Sequence, residues 1–226
     1  MAGHGHSIDE YLEVIYFLAC PIGEYRPAGE RAIASRVSEM LGVSRASAGE
    51  MLKPLETEGL VERGEQKEAI LTPAGIERAE KVVRKHRIIE RFLTDFMGYT
   101  ASESHVHADE MGDTFTEDMI ERIFERLGRP DRCPHGWPIS TELEQSENEG
   151  LVALAELAPG QRGEIVRLAE HDGDLLHWFY DQGLTPGQEI VMQTAEPAAD
   201  QFTVKLNGGE RAISEKAAAG LFVRPA

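Results

Sequence analysis

The tetrapeptide Leu41-Gly42-Val43-Ser44 limits what this chain can fold into more than any other feature. Before it, Ile33, Ala34, Val37 and Leu41 recur at helical spacing over residues 29–41; after it, residues 44–58 carry a second helical pattern. The glycine ends the first helix, Val43 anchors the turn in apolar surroundings, and Ser44 can accept from the amides that open the next helix. Residues 60–63 then read as a strand, 64–68 as a turn and 69–71 as a returning strand. Helix, turn, helix and hairpin make a winged helix-turn-helix, whose second helix projects its first residues toward a DNA major groove.

Those projecting residues are Ser44, Arg45, Ala46, Ser47 and Glu50. Small side chains allow close approach, and Arg45 can reach a guanine edge or a phosphate. Arg31, Arg36 and Lys53 are candidates for phosphate contact, with Arg63 and Lys67 on the hairpin. The formal net charge of −17 argues against nucleic acid only until it is localised. Residues 26–53 hold five basic and three acidic residues, whereas residues 91–150 hold 14 acidic and five basic ones. DNA contact depends on the local patch, and the acidic middle is either a solvated surface or a store of ligands for divalent cations.

Around the winged helix the pattern is mainly helical. Ser7 and Glu10 stand at capping-box spacing before a helix to about Ala19. Thr72-Pro73 opens a long helix that runs to about Met97, and a further single helix is expected from about His105 to Leu127, with Ala108, Met111, Phe115, Met119, Ile123 and Leu127 inward. Residues 129–150, with Pro130, Pro134, Gly136 and Pro138, read as irregular. Beyond Leu151 short strands at 163–168, 189–192, 202–206 and 221–223, with one helix at 175–182, suggest a small β-barrel. No run of about 18 apolar residues occurs, so no transmembrane helix is expected. Two distant cysteines, Cys20 and Cys133, and a polar N-terminus without a signal peptide fit a reducing cytoplasm.

Ligand-type side chains recur on three of these helices. Glu10 and Glu13 lie on the first, His86 and Glu90 one turn apart on the long one, and His105, Asp109 and Asp113 in a row on the acidic one, with Glu110 beside them. Each alone reads as a solvated or core residue; together, beside a winged helix, they point to a metal site. Cys133 and His135 could form half a zinc site, but no second Cys/His pair with suitable spacing follows, and a structured turn is the favoured reading. No nucleophile-base pair, phosphate loop or His-Glu-x-x-His run supports an enzyme.

With these residues in place, the chain resembles the diphtheria toxin repressor and manganese transport regulator family over nearly its whole length. The carrying motifs are residues 9–16 (Asp-Glu-Tyr-Leu-Glu-Val-Ile-Tyr), the helix-turn-helix, residues 71–75 (Leu-Thr-Pro-Ala-Gly), residues 84–93 around His86 and Glu90, and the loop from Cys133 to Ile139. The end of the chain, with residues 183–187 (Gly-Leu-Thr-Pro-Gly), is similar to the small SH3-like barrel shared with the ferrous-iron-transport accessory A family. The resemblance implies a winged-helix domain (1–75), a helical metal-binding and dimerisation domain (76–140), a linker (141–150) and the barrel domain (151–226). It implies a homodimeric repressor of metal-ion homeostasis on a palindromic double-stranded operator, with two metal sites per subunit for Mn²⁺ foremost, or Fe²⁺. A regulator whose DNA binding ignores metal is the alternative. By match, Glu10 and Glu13 fall on carboxylate ligand positions of manganese-sensing members, His86 and Glu90 on the second site, and Asp109 where members carry cysteine or a carboxylate; the C-terminal module of the family also implies ligands for the second site, with Glu170 and Asp172 the nearby candidates, against an acidic surface loop as the plain reading. The chain departs from the pattern at Gly112-Asp113, where Glu-His is usual; a one-residue shift would make Glu110 and Asp113 ligands, and spacing favours His105 over His107 as the second-site histidine.

Overall fold

A computed structural model describes residues 7–19, 34–65, 67–170, 173–207 and 209–226. Arg31, Asp172, Cys20 and the start of the first helix of the expected helix-turn-helix, including Ile33, lie outside the described residues. Helix α1 (Ile8–Ala19) begins as the sequence indicates: the Ser7 amide donates to Glu10 Oε2 at 2.6 Å, and the Glu10 amide to Ser7 Oγ at 3.3 Å. Helices α2 (Ala34–Met40) and α3 (Arg45–Thr57) follow, joined by a turn in which Gly42 takes φ +64°. Ser44 caps α3, accepting from the Ser47 amide. Strands β1 (Val61–Arg63) and β2 (Ala69–Leu71) pair antiparallel as the wing. One core, including Leu12, Ile15, Val37, Leu52, Leu55 and Val83, holds this domain to the long helix α4 (Pro73–Asp95).

The single acidic helix expected from 105 to 127 is two. Helix α5 (Ala101–Met111) starts earlier, at a Thr100–Glu103 capping box, and ends in a 3₁₀ turn at 112–114. Helix α6 (Glu117–Arg126) restarts under a new cap, Thr116, which accepts from the Met119 amide. The restart rotates the apolar face, so Ile120 is buried and Met119 is 43 % exposed. The irregular stretch also contains a helix, α7 (Thr141–Glu147), capped by Ser140.

The C-terminal part is a six-stranded antiparallel sheet in the order β3-β8-β4-β5-β6-β7. Its strands are β3 (Val152–Ala153), β4 (Arg162–Leu168), β5 (Glu189–Glu196), β6 (Gln201–Leu206), β7 (Gly209–Ile213) and β8 (Leu221–Pro225). Helices α8 (Gly173–Gln182) and α9 (Glu215–Ala219) accompany them. Irregularities at Ile165/Arg167 and Met192/Thr194 bend the strands, and the inner face buries Ile165, Phe179, Met192, Phe202 and Val204. The pairings among the described residues run as a ladder from β3 to β7. This domain reaches the helical body where the Ser102 hydroxyl meets His177 Nδ1 at 3.2 Å and Tyr180 donates to the Pro134 carbonyl at 3.0 Å. No helix among the described residues is long and apolar enough to cross a membrane.

Candidate metal centre

Helix α4 buries a stripe through Val82, Ile89 and Leu93, and that face carries His86 and Glu90 inward with it. Glu90 is fully buried. An ionised carboxylate there is costly unless cationic or N–H partners surround it. Its Oε1 faces three imidazole nitrogens: His86 Nε2 at 2.9 Å, His105 Nδ1 at 3.0 Å and His135 Nδ1 at 3.1 Å. Its Oε2 has no hydrogen-bond partner. Burial alone would push the Glu90 carboxyl up; facing His135 and His86 holds it well below the usual carboxylate range.

The loop after α6 brings the third imidazole. Cys133 accepts the Gly136 amide through its carbonyl and donates its own amide to Trp137 O, closing a tight turn. His135 O then accepts from the Leu168 amide at 3.0 Å, and the Trp137 indole donates to Leu168 O, so the turn lies along the end of β4. Gly136 is required here. Its φ is +89°, and a Cβ would stand 1.9 Å from the Val166 carbonyl oxygen. This docking brings Cys133 and His135 to Glu170, two residues past β4. Cys133 donates to Glu170 Oε1 at 3.2 Å, and one ligand atom each of Glu90, Cys133, His135 and Glu170 lies within 4.8 Å of the others, all four residues buried.

The His135 tautomer follows from its surroundings. Nε2 lies 2.9 Å from the Ala101 carbonyl, which can only accept. The proton of a neutral ring is therefore on Nε2, and the Nδ1 lone pair points at Glu90. Two lone pairs 3.1 Å apart in a dry interior repel unless a proton or a metal cation lies with them.

A second group adjoins the first. His86 Nδ1 lies 3.1 Å from Asp109 Oδ1 and 3.2 Å from Glu13 Oε1, and His86, His105 and Asp109 each offer one ligand atom within 4.8 Å of the others. Glu13 is buried on α1, and burial foremost pushes its carboxyl up to about 8, the nearby His86 opposing the rise. Burial alone would lower His86; Glu13 and Glu90 raise it well above the ordinary imidazole value.

Other sequence candidates lie apart from these contacts. Glu10 turns one oxygen to the Ser7 amide, though it still borders the small cleft of Glu13, His86, Asp109 and Asp113. Asp113 is exposed in the 3₁₀ turn, and Glu110 is exposed beside His107, 3.4 Å away. Glu170 joins the cluster with Cys133 and His135, so their turn is also a donor site. The completing donors are glutamates, and a search for a second Cys/His pair could not find them.

These donors fit a divalent cation. Ligands about 2.0–2.3 Å from one ion lie at most about 4.6 Å apart, close to the observed spread. Two carboxylates, an imidazole and a thiol able to become thiolate match first-row divalent metals. Burial first, and the neighbouring Glu170 and Glu90 next, push the Cys133 thiol well up, so its proton leaves only against a cation.

On the winged helix, Ser44, Arg45, Ala46, Ser47, Glu50 and Lys53 are all exposed along the start and outer side of α3, while Ala48, Leu52 and Leu55 face inward. Arg36 is exposed and paired with Glu39 at 2.8 Å. Arg63 is held by Glu56 and by the Lys67 carbonyl.

A winged helix, a helical body with buried imidazole, carboxylate and thiol groups, and a C-terminal sheet domain define a class: metal-dependent DNA-binding regulators. The comparisons agree. Residues 5–69 match the iron dependent repressor N-terminal DNA binding domain, residues 72–141 the iron dependent repressor metal binding and dimerisation domain, and residues 152–225 the FeoA domain. The diphtheria toxin repressor of Corynebacterium glutamicum is 30 % identical over 194 residues, covering 81 % of this chain and 82 % of that protein. The crystal structure of T. acidophilum IdeR superposes with a TM-score of 0.82 at 26 % identity, over 99 % of this chain and 100 % of that one. A manganese-dependent transcriptional repressor in complex with manganese gives 0.81 at 25 % identity, over 97 % and 100 %. The chain belongs to the diphtheria toxin repressor family of metal-dependent transcriptional repressors, and is not an enzyme.

Proposed function

We propose that this chain is a homodimeric repressor whose binding to a two-fold-symmetric DNA operator is switched on by Mn²⁺ or Fe²⁺ held at two adjoining sites. The observation that carries this reading is a buried cluster in which one ligand atom each of Glu90, Cys133, His135 and Glu170 lies within 4.8 Å of the others. Glu90, Cys133, His135 and Glu170 would hold one ion; His86, His105 and Asp109, with Glu13 beside them, would hold the other. Bound metal supplies the positive charge that these carboxylates lack.

Glu13 and Glu10 lie on α1, which shares a core with α3. Drawing the Glu13 carboxylate toward His86 and Asp109 fixes α1 against α4, and with it the angle of the winged helix. A form that binds DNA and holds metal about 100-fold tighter supplies about 2.7 kcal/mol of coupling. Exposed Phe96, at 61 %, with Met97 and Met119 supports a partner surface on the helical body. Phe92, Ile123 and Phe124 pack partly buried within the subunit. The SH3-like barrel remains our reading of how the bent sheet curls.

The test is operator binding under anaerobic conditions with Mn²⁺, Fe²⁺, Co²⁺ or Zn²⁺, and with chelator. Tight binding in chelator would establish the alternative, a winged-helix regulator without metal control. A monomer at micromolar concentration in sedimentation would remove the dimer.

A further inference from the structure

Arg87 follows His86 on α4 and is 2 % exposed. Its Nη2 donates to Glu170 Oε2 at 3.1 Å, while Nη1 reaches Glu144 Oε2 at 2.5 Å and the Pro138 carbonyl at 2.8 Å. The guanidinium carbon lies 5.0 Å from the Trp137 ring centre, as does that of Arg167 from β4. The fork therefore touches the helical body, the loop that carries Cys133 and His135, α7, and the residue just beyond β4.

Glu170 has two oxygens in two different roles. Oε2 is held by Arg87, and Oε1 accepts from Cys133. We propose that Arg87 is the positioning residue of the Cys133 cluster: by fixing Oε2 it makes Glu170 a one-oxygen donor aimed at Cys133 and His135, and ties filling of that cluster to the seating of the sheet domain. The proposal rests on the reading of the cluster as a metal site. Its chemistry is charge and geometry together. A buried Glu170 without Arg87 loses the donor that holds its Oε2 and the fixed positive charge beside it. A freed carboxylate also rotates, and the orientation of a ligand set by its outer partner is lost. Lysine could restore the charge and not the planar fork that meets Glu170, Glu144 and Pro138 at once.

Co²⁺ tests this in the full-length chain, because a cysteine thiolate bound to Co²⁺ gives a charge-transfer absorption that reports Cys133 directly. Co²⁺ affinity by chelator competition and the intensity of that band are measured for the parent, R87Q, R87K and E144Q. Amide hydrogen exchange over residues 173–182, without metal, follows seating of the sheet domain. R87Q is expected to lose about 10- to 100-fold in affinity, to weaken the band and to exchange faster. R87K should fall between R87Q and parent, and it carries the comparison if R87Q does not fold. E144Q removes the other carboxylate of Arg87 and should stay within about threefold of parent, since a neighbour outside the ligand's own hydrogen bond is not expected to move affinity as an outer partner does. Parent affinity and an unchanged band in the arginine variants, or an equal loss in E144Q, overturns the positioning role. A parent protein with no thiolate band overturns the metal reading beneath it.

Discussion

His86 and Glu90 stand one turn apart on α4, with His86 Nε2 2.9 Å from Glu90 Oε1, and between them they touch both donor groups. Glu90→Gln keeps the volume and removes the charge that three imidazoles face. Mn²⁺ affinity, measured by competition with a chelating dye, should fall by about 100-fold or more, beyond the loss from removing an outer partner alone. An unchanged affinity would place the metal elsewhere.

Arg45 is exposed at the start of α3 and makes no ion pair among the described residues. Arg45→Ala should weaken operator binding by about 1–3 kcal/mol while leaving metal affinity at the parent value. Lys53→Ala should reduce the slope of log affinity against log salt by about one unit. Fluorescence anisotropy over a salt series reads both effects, and equal losses on operator and unrelated DNA for Arg45→Ala would make it a phosphate contact.

Gly136→Ala should both destabilise and blunt metal binding. The new methyl would meet the Val166 carbonyl oxygen at 1.9 Å, and the backbone φ of +89° disfavours any side chain. Relief requires lifting the Cys133–Trp137 turn off β4, at a cost of about 1–3 kcal/mol. Calorimetric unfolding of the metal-free chain gives the first effect, and Co²⁺ titration the second. A variant with parent values in both would mean that the turn can move without consequence.

Glu147 joins α7 to its surroundings through Arg132 and Arg167. Burial alone would raise its carboxyl, but hydrogen bonds from those two arginines outweigh this and hold it below the usual range. A carboxyl lowered in the folded state contributes stability above its unfolded value, near about 4.3, and loses it as pH falls through the folded value. The gap in thermal midpoint between parent and Glu147→Gln should be open at about pH 7 and close at about pH 3. A gap independent of pH would show that shape, and not charge, is what Glu147 contributes.

The winged helix could be read from the sequence because its signals are local. Gly42, Ser44 and Thr72-Pro73 act within a few residues of themselves, and the structure places its turn, caps and hairpin accordingly. The pairing of His86 with Glu90 was equally legible, being a matter of one helical turn. The break between α5 and α6 was hidden because Met111, Phe115 and Met119 keep helical spacing across it, and the Thr116 cap competes with that continuity. Helix α7 was lost among flanking prolines and glycines. The cluster around Cys133 was hidden for another reason. Periodicity tells which side of an element is inward and nothing about which distant element it meets. Glu90 and Glu170 are two acids in a chain with 40, so only the docking of the Cys133 turn on β4 sets them apart. Glu10 shows the converse: one side chain suits both a cap and a ligand role, and spacing alone does not say which it fills.

The Cys133 cluster draws on positions 90, 133, 135 and 170. A ribosome makes the chain from its N-terminus, and at about 5–20 residues per second the stretch from Leu71 at the end of the wing to Glu170 takes roughly 5–20 s. Throughout that interval the helix-turn-helix and wing are already made, while the four side chains of the Cys133 cluster are not yet all present in one chain. The order of residues along the gene thus makes the Cys133 cluster the last part of the helical body to be completed, since it waits for Glu170, two residues past β4 of the sheet domain, to be synthesised.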